Sequence, residues 1–114
     1  AIYLDADGED LTALHLMLWS DAKLVAYARI LAPNLDDVVH FGRVCVAVTE
    51  RNKTVGRELI SRVLAEISCR YVDAVIIISA QKYLQEFYQQ FGFIAISDDY
   101  LTEDGILHVD MQFA

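Results

Sequence analysis

The feature that most constrains the fold is a strand–helix–strand pattern in the middle of the chain. In residues 42–49, valine alternates with small residues or arginine, which predicts a central strand that tolerates burial on both faces. Apolar residues then recur at helical spacing over residues 55–67, and charged residues occupy the other face. Residues 74–79 form a second apolar run and predict a second buried strand. A helix between two such strands is typical of a βαβ unit, in which the strands pair in parallel.

The rest of the chain predicts shorter elements on both sides of this unit. Turn-forming residues separate two strand-like runs before it, and Gly92 ends a second helical pattern after it. The order β-β-β-α-β-α-β-β predicts an α/β or α+β sheet with two helices. A chain of 114 residues matches one domain, so we expect a single domain over residues 1–114. The additional strands are expected at 14–19, 24–31, 93–97 and 106–113, and the second helix at 82–91.

Charge is unevenly distributed along the chain. Nine lysines and arginines against seventeen acids give a net charge of −8, which argues against nucleic acid or an anionic membrane as a partner. All nine bases nevertheless lie in residues 23–82, whereas residues 1–22 and 83–114 contain neither lysine nor arginine. The basic middle of the chain therefore suits an anionic ligand even though the whole chain is acidic.

The cysteines and the longest apolar run indicate the compartment. Cys45 and Cys69 both lie in apolar segments, which favours reduced thiols over a disulfide, and the valine-rich context of Cys45 predicts a buried side chain. The apolar run 74–78 is far too short to span a bilayer, and the first residues show no signal-peptide pattern. We therefore expect a cytoplasmic protein with no membrane partner.

The junction between the 42–49 strand and the following helix collects positive charge. The helix start contains three cationic residues, Arg51, Lys53 and Arg57. The unpaired backbone N–H groups of the first turn and the positive end of the helix dipole lie at the same place. Cations disfavour that end of a helix unless an anion such as a phosphate or pyrophosphate bridges them to the backbone. A solvated charged loop explains these residues equally well on local sequence alone. The sequence contains neither a P-loop nor the glycine pattern of dinucleotide-binding folds, which excludes both of these classes.

Two motifs, in this order, resemble those of the GNAT N-acetyltransferases. Residues 51–56, Arg-Asn-Lys-Thr-Val-Gly, follow a valine-rich strand and resemble the loop that binds the acetyl-CoA pyrophosphate. Residues 84–93, Leu-Gln-Glu-Phe-Tyr-Gln-Gln-Phe-Gly-Phe, resemble the second signature, a Phe-Tyr-x-x-x-Gly-Phe helix end. Further stretches are similar to the ElaA-like branch of this family, namely 7–12, 24–31, 42–44, 80–81 and 103–106.

The resemblance implies both a fold and an activity. The fold is the GNAT-like acyl-CoA N-acyltransferase fold, a mixed, mostly antiparallel sheet with helices packed on it. Family members have a strand and one or two helices ahead of the segment seen here, so these elements are expected to be missing before Ala1. The implied activity is transfer of an acetyl group from acetyl-CoA to a primary amine, on a small molecule or a protein, by direct attack in a ternary complex. A non-catalytic acyl-CoA-binding or sensor domain is the alternative, and a homodimer stays open.

The resemblance also implies roles for individual residues. Tyr88 matches the tyrosine that protonates the leaving thiolate, although a core aromatic residue fits the same position. The pantetheine arm of acetyl-CoA is expected along the 43–49 strand, and its pyrophosphate on the loop and helix start. The residues expected to bind acetyl-CoA are Val44, Val46, Val48, Arg51, Asn52, Lys53, Thr54, Val55, Gly56, Arg57 and Gln81.

The chain departs from the family pattern in its loop and in its general base. Asn52 and Thr54 stand where glycine is common, and the 43–49 strand has no glutamate to act as the base. A water molecule, Asp110 or His108 are the alternatives for that role. The acids near residues 5–10 do not complete a calcium-loop pattern, so no metal site is expected.

Overall fold

The structure, a computed structural model, describes residues 2–7, 13–50 and 54–114, and for residues 2–7 it gives the backbone alone. It contains two compact units, Ala1–Ala74 and Val75–Ala114, each of which is taken by itself below. The expectation of a single domain therefore stays a prediction. No helix in the described part of the chain combines the length and apolar character needed to cross a membrane.

The described part of the first unit contains four strands that pair antiparallel in chain order, together with one long helix. The predicted hairpin is confirmed, because β2 and β3 pair across a tight turn in which Asp21 has φ 55°. Asp tolerates this left-handed backbone, which such turns require. The first strand of the unit is not predicted by the sequence pattern. The elements are β1 (Ile2–Asp7), β2 (Ala13–Ser20), β3 (Lys23–Leu31), β4 (Val38–Val46), a 3-10 turn (Val48–Glu50) and α1 (Val55–Arg70).

The helix α1 buries one face on the sheet of the first unit. The predicted helical spacing is confirmed, since Leu59, Ile60 and Val63 are fully buried. The helix contacts β3, whose Ala26 and Ala28 are also buried. Alanine side chains allow the helix backbone to approach the strand closely, so the apolar face of α1 is removed from water over most of its length.

Strand β4 differs from the prediction in its bounds and in its burial. It runs from Val38 to Val46 rather than over 42–49. Tyr27 pairs with Cys45 and Arg29 with Gly42, so Arg43 and Val44 together face one residue of β3. This is a β-bulge, and Arg43 at φ 52° supplies its left-handed residue.

The bulge determines which β4 side chains face the helix. Val39 and Phe41 are buried before the bulge, and the extra residue shifts the inward positions to Val44 and Val46, which are half-buried. Cys45 consequently lies on the opposite face and is exposed, so the prediction of a buried thiol is wrong. The placement of Val48 on the strand is also wrong, because the strand has ended and Val48 is exposed in the 3-10 turn.

The second unit is an antiparallel sheet in which β8 pairs with β5, β6 and β7. The predicted helix over 82–91 is shorter than expected and begins as a 3-10 turn. Gly92, at φ 106°, follows it as predicted, and its N–H donates to the Gln89 carbonyl at 3.1 Å. The elements are β5 (Val75–Gln81), a 3-10 turn (Lys82–Leu84), α2 (Gln85–Gln89), β6 (Phe93–Ala95), β7 (Tyr100–Leu101) and β8 (Leu107–Phe113).

The two faces of this second sheet have different characters. Ile76, Ile78 and Ala80 are buried and alternate with more exposed residues, so the predicted buried strand β5 is buried on one of its two faces. The buried face is completed by β8 and β6 residues, and α2 contacts β6 beside it. The opposite face bears polar side chains of β5, β7 and β8. One face of this unit is therefore a core, and the other is polar and reached by solvent.

The core under α1 gives a direct stability test. Leu59→Ala removes a fully buried side chain and should lower the free energy of unfolding by about 2–5 kcal/mol, because burial is lost and a cavity is left. Leu35 is fully exposed, so the chemically identical change Leu35→Ala should alter the free energy of unfolding by less than about 0.5 kcal/mol. Urea unfolding of the three proteins measures both values, and equal effects would contradict the packing described.

Candidate functional site

The N-terminus of α1 presents backbone donors that its own cap residue does not use. Thr54 occupies the cap position, and its side chain makes no capping hydrogen bond. Its carbonyl accepts the first helical bond, from the Glu58 N–H at 3.0 Å. Val55 is buried, Gly56 half-buried and Arg57 exposed, so this turn offers main-chain N–H groups and one cationic side chain to the outside. Such a helix start can hold an anion. The predicted residues Arg51, Asn52 and Lys53 lie outside the described part of the chain.

A shallow apolar groove lies at the end of β4 in the same unit. Its volume is about 210 Å³, and Tyr27, Cys45 and Val46 contribute to its lining. The Ala47 N–H donates to the Val25 carbonyl at 2.8 Å, so pairing with β3 continues to the end of the strand. Of the predicted strand positions, Val46 lines this groove and Val48 does not.

Tyr88 is the buried polar side chain of α2. Only 5% of its surface is accessible, and its ring packs edge-on against Phe93 at a centroid distance of 5.8 Å. Phe87 contacts it in the same edge-on manner at 5.3 Å. Burial, with a smaller contribution from Tyr83, raises the pKa of Tyr88 to about 12. The phenol therefore keeps its proton at neutral pH and is a hydrogen donor rather than a base.

The two candidate bases named from the sequence lie together on the polar face of the second unit. The Asp110 Oδ1 accepts a hydrogen bond from the Tyr100 hydroxyl at 2.6 Å. This bond is the main reason that the pKa of Tyr100 is raised, because it holds the phenolic proton. The His108 ring stacks on Tyr100, and its Nδ1 lies 2.9 Å from the Ile106 carbonyl. A carbonyl only accepts, so Nδ1 carries the proton and Nε2 is left as an acceptor in the neutral ring.

Each unit brings some of the predicted residues together. In the first unit, residues 54–57 share one helical turn, and Val44 and Val46 share one face of β4. In the second unit, Gln81 ends β5 opposite His108, and Tyr88 lies in α2. Sequence reasoning missed Tyr100, because it lies in a stretch that reads as an acidic loop. Only the register of β7 on β8 reveals it.

Comparison with known proteins identifies the family. The family model described as Acetyltransferase (GNAT) domain matches residues 5–114. The chain belongs to the GNAT acetyltransferase family. It is 43% identical to Protein ElaA of Escherichia coli over 112 residues, which cover 96% of this chain and 72% of that protein. The resemblance seen in the two sequence motifs, and in the ElaA-like stretches, is thereby confirmed.

Solved structures confirm the fold. An acyl-CoA N-acyltransferase from Pseudomonas aeruginosa matches with a TM-score of 0.84 and 38% identity, over 95% of this chain and 74% of that one. The crystal structure of E. coli ElaA matches with a TM-score of 0.83 and 41% identity, over 98% of this chain and 76% of that one. An aminoglycoside 6'-N-acetyltransferase complexed with coenzyme A matches with a TM-score of 0.74 and 11% identity, over 89% of this chain and 72% of that one. A match at this identity shows the fold alone. This GNAT member thus has the α+β acyl-CoA N-acyltransferase fold, with two α-helices in the part of the chain that the structure describes. Family and fold support acyl transfer from coenzyme A.

The raised pKa of Tyr88 can be observed in this GNAT protein directly. Alkaline titration of tyrosinate absorbance, with Tyr88→Phe subtracted from the wild type, should show one tyrosine that ionises near pH 12. The unfolded chain loses this proton near pH 10, so the free energy of unfolding should fall as the pH rises from about 10 to about 12. The Tyr88→Phe variant should lack that component. A difference titration centred near pH 10 would contradict the burial of this phenol.

Proposed function

We propose that this protein transfers an acetyl group from acetyl-CoA to a primary amine, on a small molecule or an exposed protein amine. The observation that carries the proposal is Tyr88, a buried phenol that stays protonated at the position of the family's second motif. The reaction is direct attack by the amine in a ternary complex, without an acyl-enzyme. Both cysteines are free thiols, which is consistent with action in the cytoplasm.

The donor side of the reaction follows from the first unit. The acetyl-CoA pyrophosphate would bind residues 51–57, where the described part supplies uncapped amides at Val55 and Gly56 and the exposed Arg57 guanidinium. The pantetheine arm would run along the end of β4, beside Val44 and Val46. Val48 lies just beyond the strand, in the 3-10 turn, so it would contact this arm from that turn and not from the strand edge.

The chemical step needs one proton for the leaving group. The amine nitrogen attacks the thioester carbonyl and a C–N bond forms. The nitrogen loses one proton, to water, Asp110 or His108, and the C–S bond breaks with its electron pair on sulfur. The Tyr88 hydroxyl gives its proton to that thiolate and recovers one from solvent afterwards. Backbone N–H groups near Val46 would stabilise the oxyanion that develops on the carbonyl. The phenol is protonated at neutral pH, so its proton is present when the thiolate forms.

The alternative is an acyl-CoA-binding or sensor domain that does not catalyse transfer. Thr54 in place of glycine and the absence of glutamate from β4 favour it, because the loop and the base both differ from the family pattern. Such a domain would bind acetyl-CoA and would not need the Tyr88 proton. The two functions therefore differ in turnover and agree in binding.

Loss of the Tyr88 hydroxyl separates these two functions. Tyr88→Phe should lower kcat by about 100-fold or more, because a positioned proton donor is lost. The dissociation constant for acetyl-CoA should stay within about twofold, since the ring and its packing remain. Tyr83→Phe, which removes an exposed hydroxyl from the neighbouring 3-10 turn, is the control and should leave kcat unchanged. Chromatographic measurement of released coenzyme A with a panel of amines gives the rates. Unaltered turnover in Tyr88→Phe would exclude the proposed role.

Acetyl-CoA binding is tested by its effect on stability. At about 100 times its dissociation constant, acetyl-CoA should raise the free energy of unfolding by about 2.7 kcal/mol. Arg57→Gln removes a charge-assisted hydrogen bond and should weaken binding about tenfold, which reduces that gain to about 1.4 kcal/mol at the same concentration.

Arg70→Gln is the matched control for Arg57, because it removes the same charge from the other end of α1. Its guanidinium pairs with Glu66, away from the helix start. This variant should keep the full gain in stability from acetyl-CoA. No gain in the wild type would exclude both acyl transfer and acyl-CoA sensing.

A further inference from the structure

The polar face of the second unit carries a hydrogen-bonded chain of three side chains from three strands. The Ser79 Oγ of β5 lies 2.5 Å from the Tyr100 hydroxyl of β7, which lies 2.6 Å from the Asp110 Oδ1 of β8. Ser79 and Asp110 are also direct partners in the β5–β8 register. These residues are on the sheet face opposite the buried Ile78 and Met111, so solvent reaches them.

The hydrogens in this chain all point toward the carboxylate. The Asp110 carboxylate can only accept, so the Tyr100 hydroxyl uses its single hydrogen on it. The Tyr100 oxygen must then accept a hydrogen bond from the Ser79 hydroxyl, which spends its single hydrogen on that bond. The cluster therefore presents acceptors outward: the second oxygen of Asp110 and the remaining lone pairs of both hydroxyls. An arrangement with acceptors and no spare donors selects a ligand that is rich in donors.

The charge of the surroundings selects a cation. Among the residues that the structure describes, no lysine or arginine forms an ion pair with Asp110. Lys82, the one lysine or arginine in residues 75–114, is engaged with Asp99 at 3.2 Å and with the Gln85 amide oxygen at 2.6 Å. The Asp110 carboxylate, which carries the negative charge of this cluster, therefore has no cationic side chain paired with it in the described part of the chain.

The cluster is held in place on its other sides. The Asp110 backbone N–H donates to the Ser97 Oγ at 2.9 Å, which fixes the strand beneath the carboxylate. The His108 ring stacks on Tyr100 with centroids 6.1 Å apart and 27° between planes. Its Nδ1 lies 2.9 Å from the Ile106 carbonyl, which fixes the orientation of the ring beside the cluster. A primary ammonium group has three donors and one charge, which matches this set.

We propose that Ser79, Tyr100 and Asp110 form the subsite that binds the ammonium group of the acceptor. Asp110 contacts the ammonium, and Tyr100 and Ser79 are positioning residues that orient the carboxylate. This assignment rests on the proposed function, since it names the acceptor class as cationic primary amines. The subsite does not alter the transfer step, and binding of an ammonium group can be measured in the absence of acetyl transfer.

The test compares n-butylamine, which is cationic at neutral pH, with n-butanol, its neutral counterpart. Titration of the wild-type chain with n-butylamine should shift the backbone amide NMR signals of residues 79, 100 and 110 to saturation, and n-butanol should not. Asp110→Asn keeps an oxygen for the Tyr100 hydroxyl and removes the charge, so the affinity for n-butylamine should fall about tenfold. Asp104→Asn, an identical change in the exposed loop, should leave the affinity unchanged.

Kinetics separate this inference from the proposed function. Asp110→Asn should raise the KM for n-butylamine about tenfold, and it should leave the acetyl-CoA dissociation constant and the Tm as in the wild type. Saturable binding without any transfer would support the subsite and count against acyl transfer. Transfer with no response to Asp110→Asn, or with equal shifts from n-butanol, would overturn the subsite and leave acyl transfer standing. Absence of any amide shift in the wild type would also overturn it.

Discussion

The extra residue that Arg43 adds to β4 determines which side chains of this strand face α1. Without it, the alternation that buries Val39 and Phe41 would carry Arg43 and Cys45 toward α1. The bulge instead turns Val44 and Val46 inward, so the strand stays apolar on the side where the helix packs. The left-handed conformation of Arg43 is unfavourable for a residue with a side chain, and the burial of α1 on the neighbouring β3 offsets that cost.

The second unit separates burial and polarity more simply, by the two faces of one sheet. Its inner face excludes water from Tyr88, which raises the pKa of the phenol and keeps it protonated. Its outer face keeps Ser79, Tyr100 and Asp110 in contact with solvent, where a carboxylate retains its charge and can meet a cation. The same few strands thus supply a neutral proton donor on one side and an anionic binding group on the other.

Much of the fold could be predicted from the sequence, and the failures have identifiable causes. The spacing of Leu59, Ile60 and Val63 predicts α1 because a helix has one strong period, and Gly92 marks the end of α2 by its positive φ. The exposure of Cys45 could not be predicted, because the bulge reverses the alternation and its left-handed residue is Arg43 rather than a glycine. Tyr100 could not be predicted because its two-residue strand has no periodicity, and its partners Ser79 and Asp110 are distant in sequence. The positions of Tyr88 and of the helix start could be predicted from the sequence, because both lie in motifs of the family.

The exposure of Cys45 and Cys69 has a practical consequence for enzymology on this chain. Thiol-reactive dyes, which are commonly used to count released coenzyme A, would also label these two side chains. An adduct on Cys45 would sit in the apolar groove beside Val46 and obstruct it, so the dye would act as an inhibitor as well as a reporter. The same position makes Cys45 a natural attachment point for a fluorophore that senses occupancy of the groove, once Cys69 has been replaced by serine.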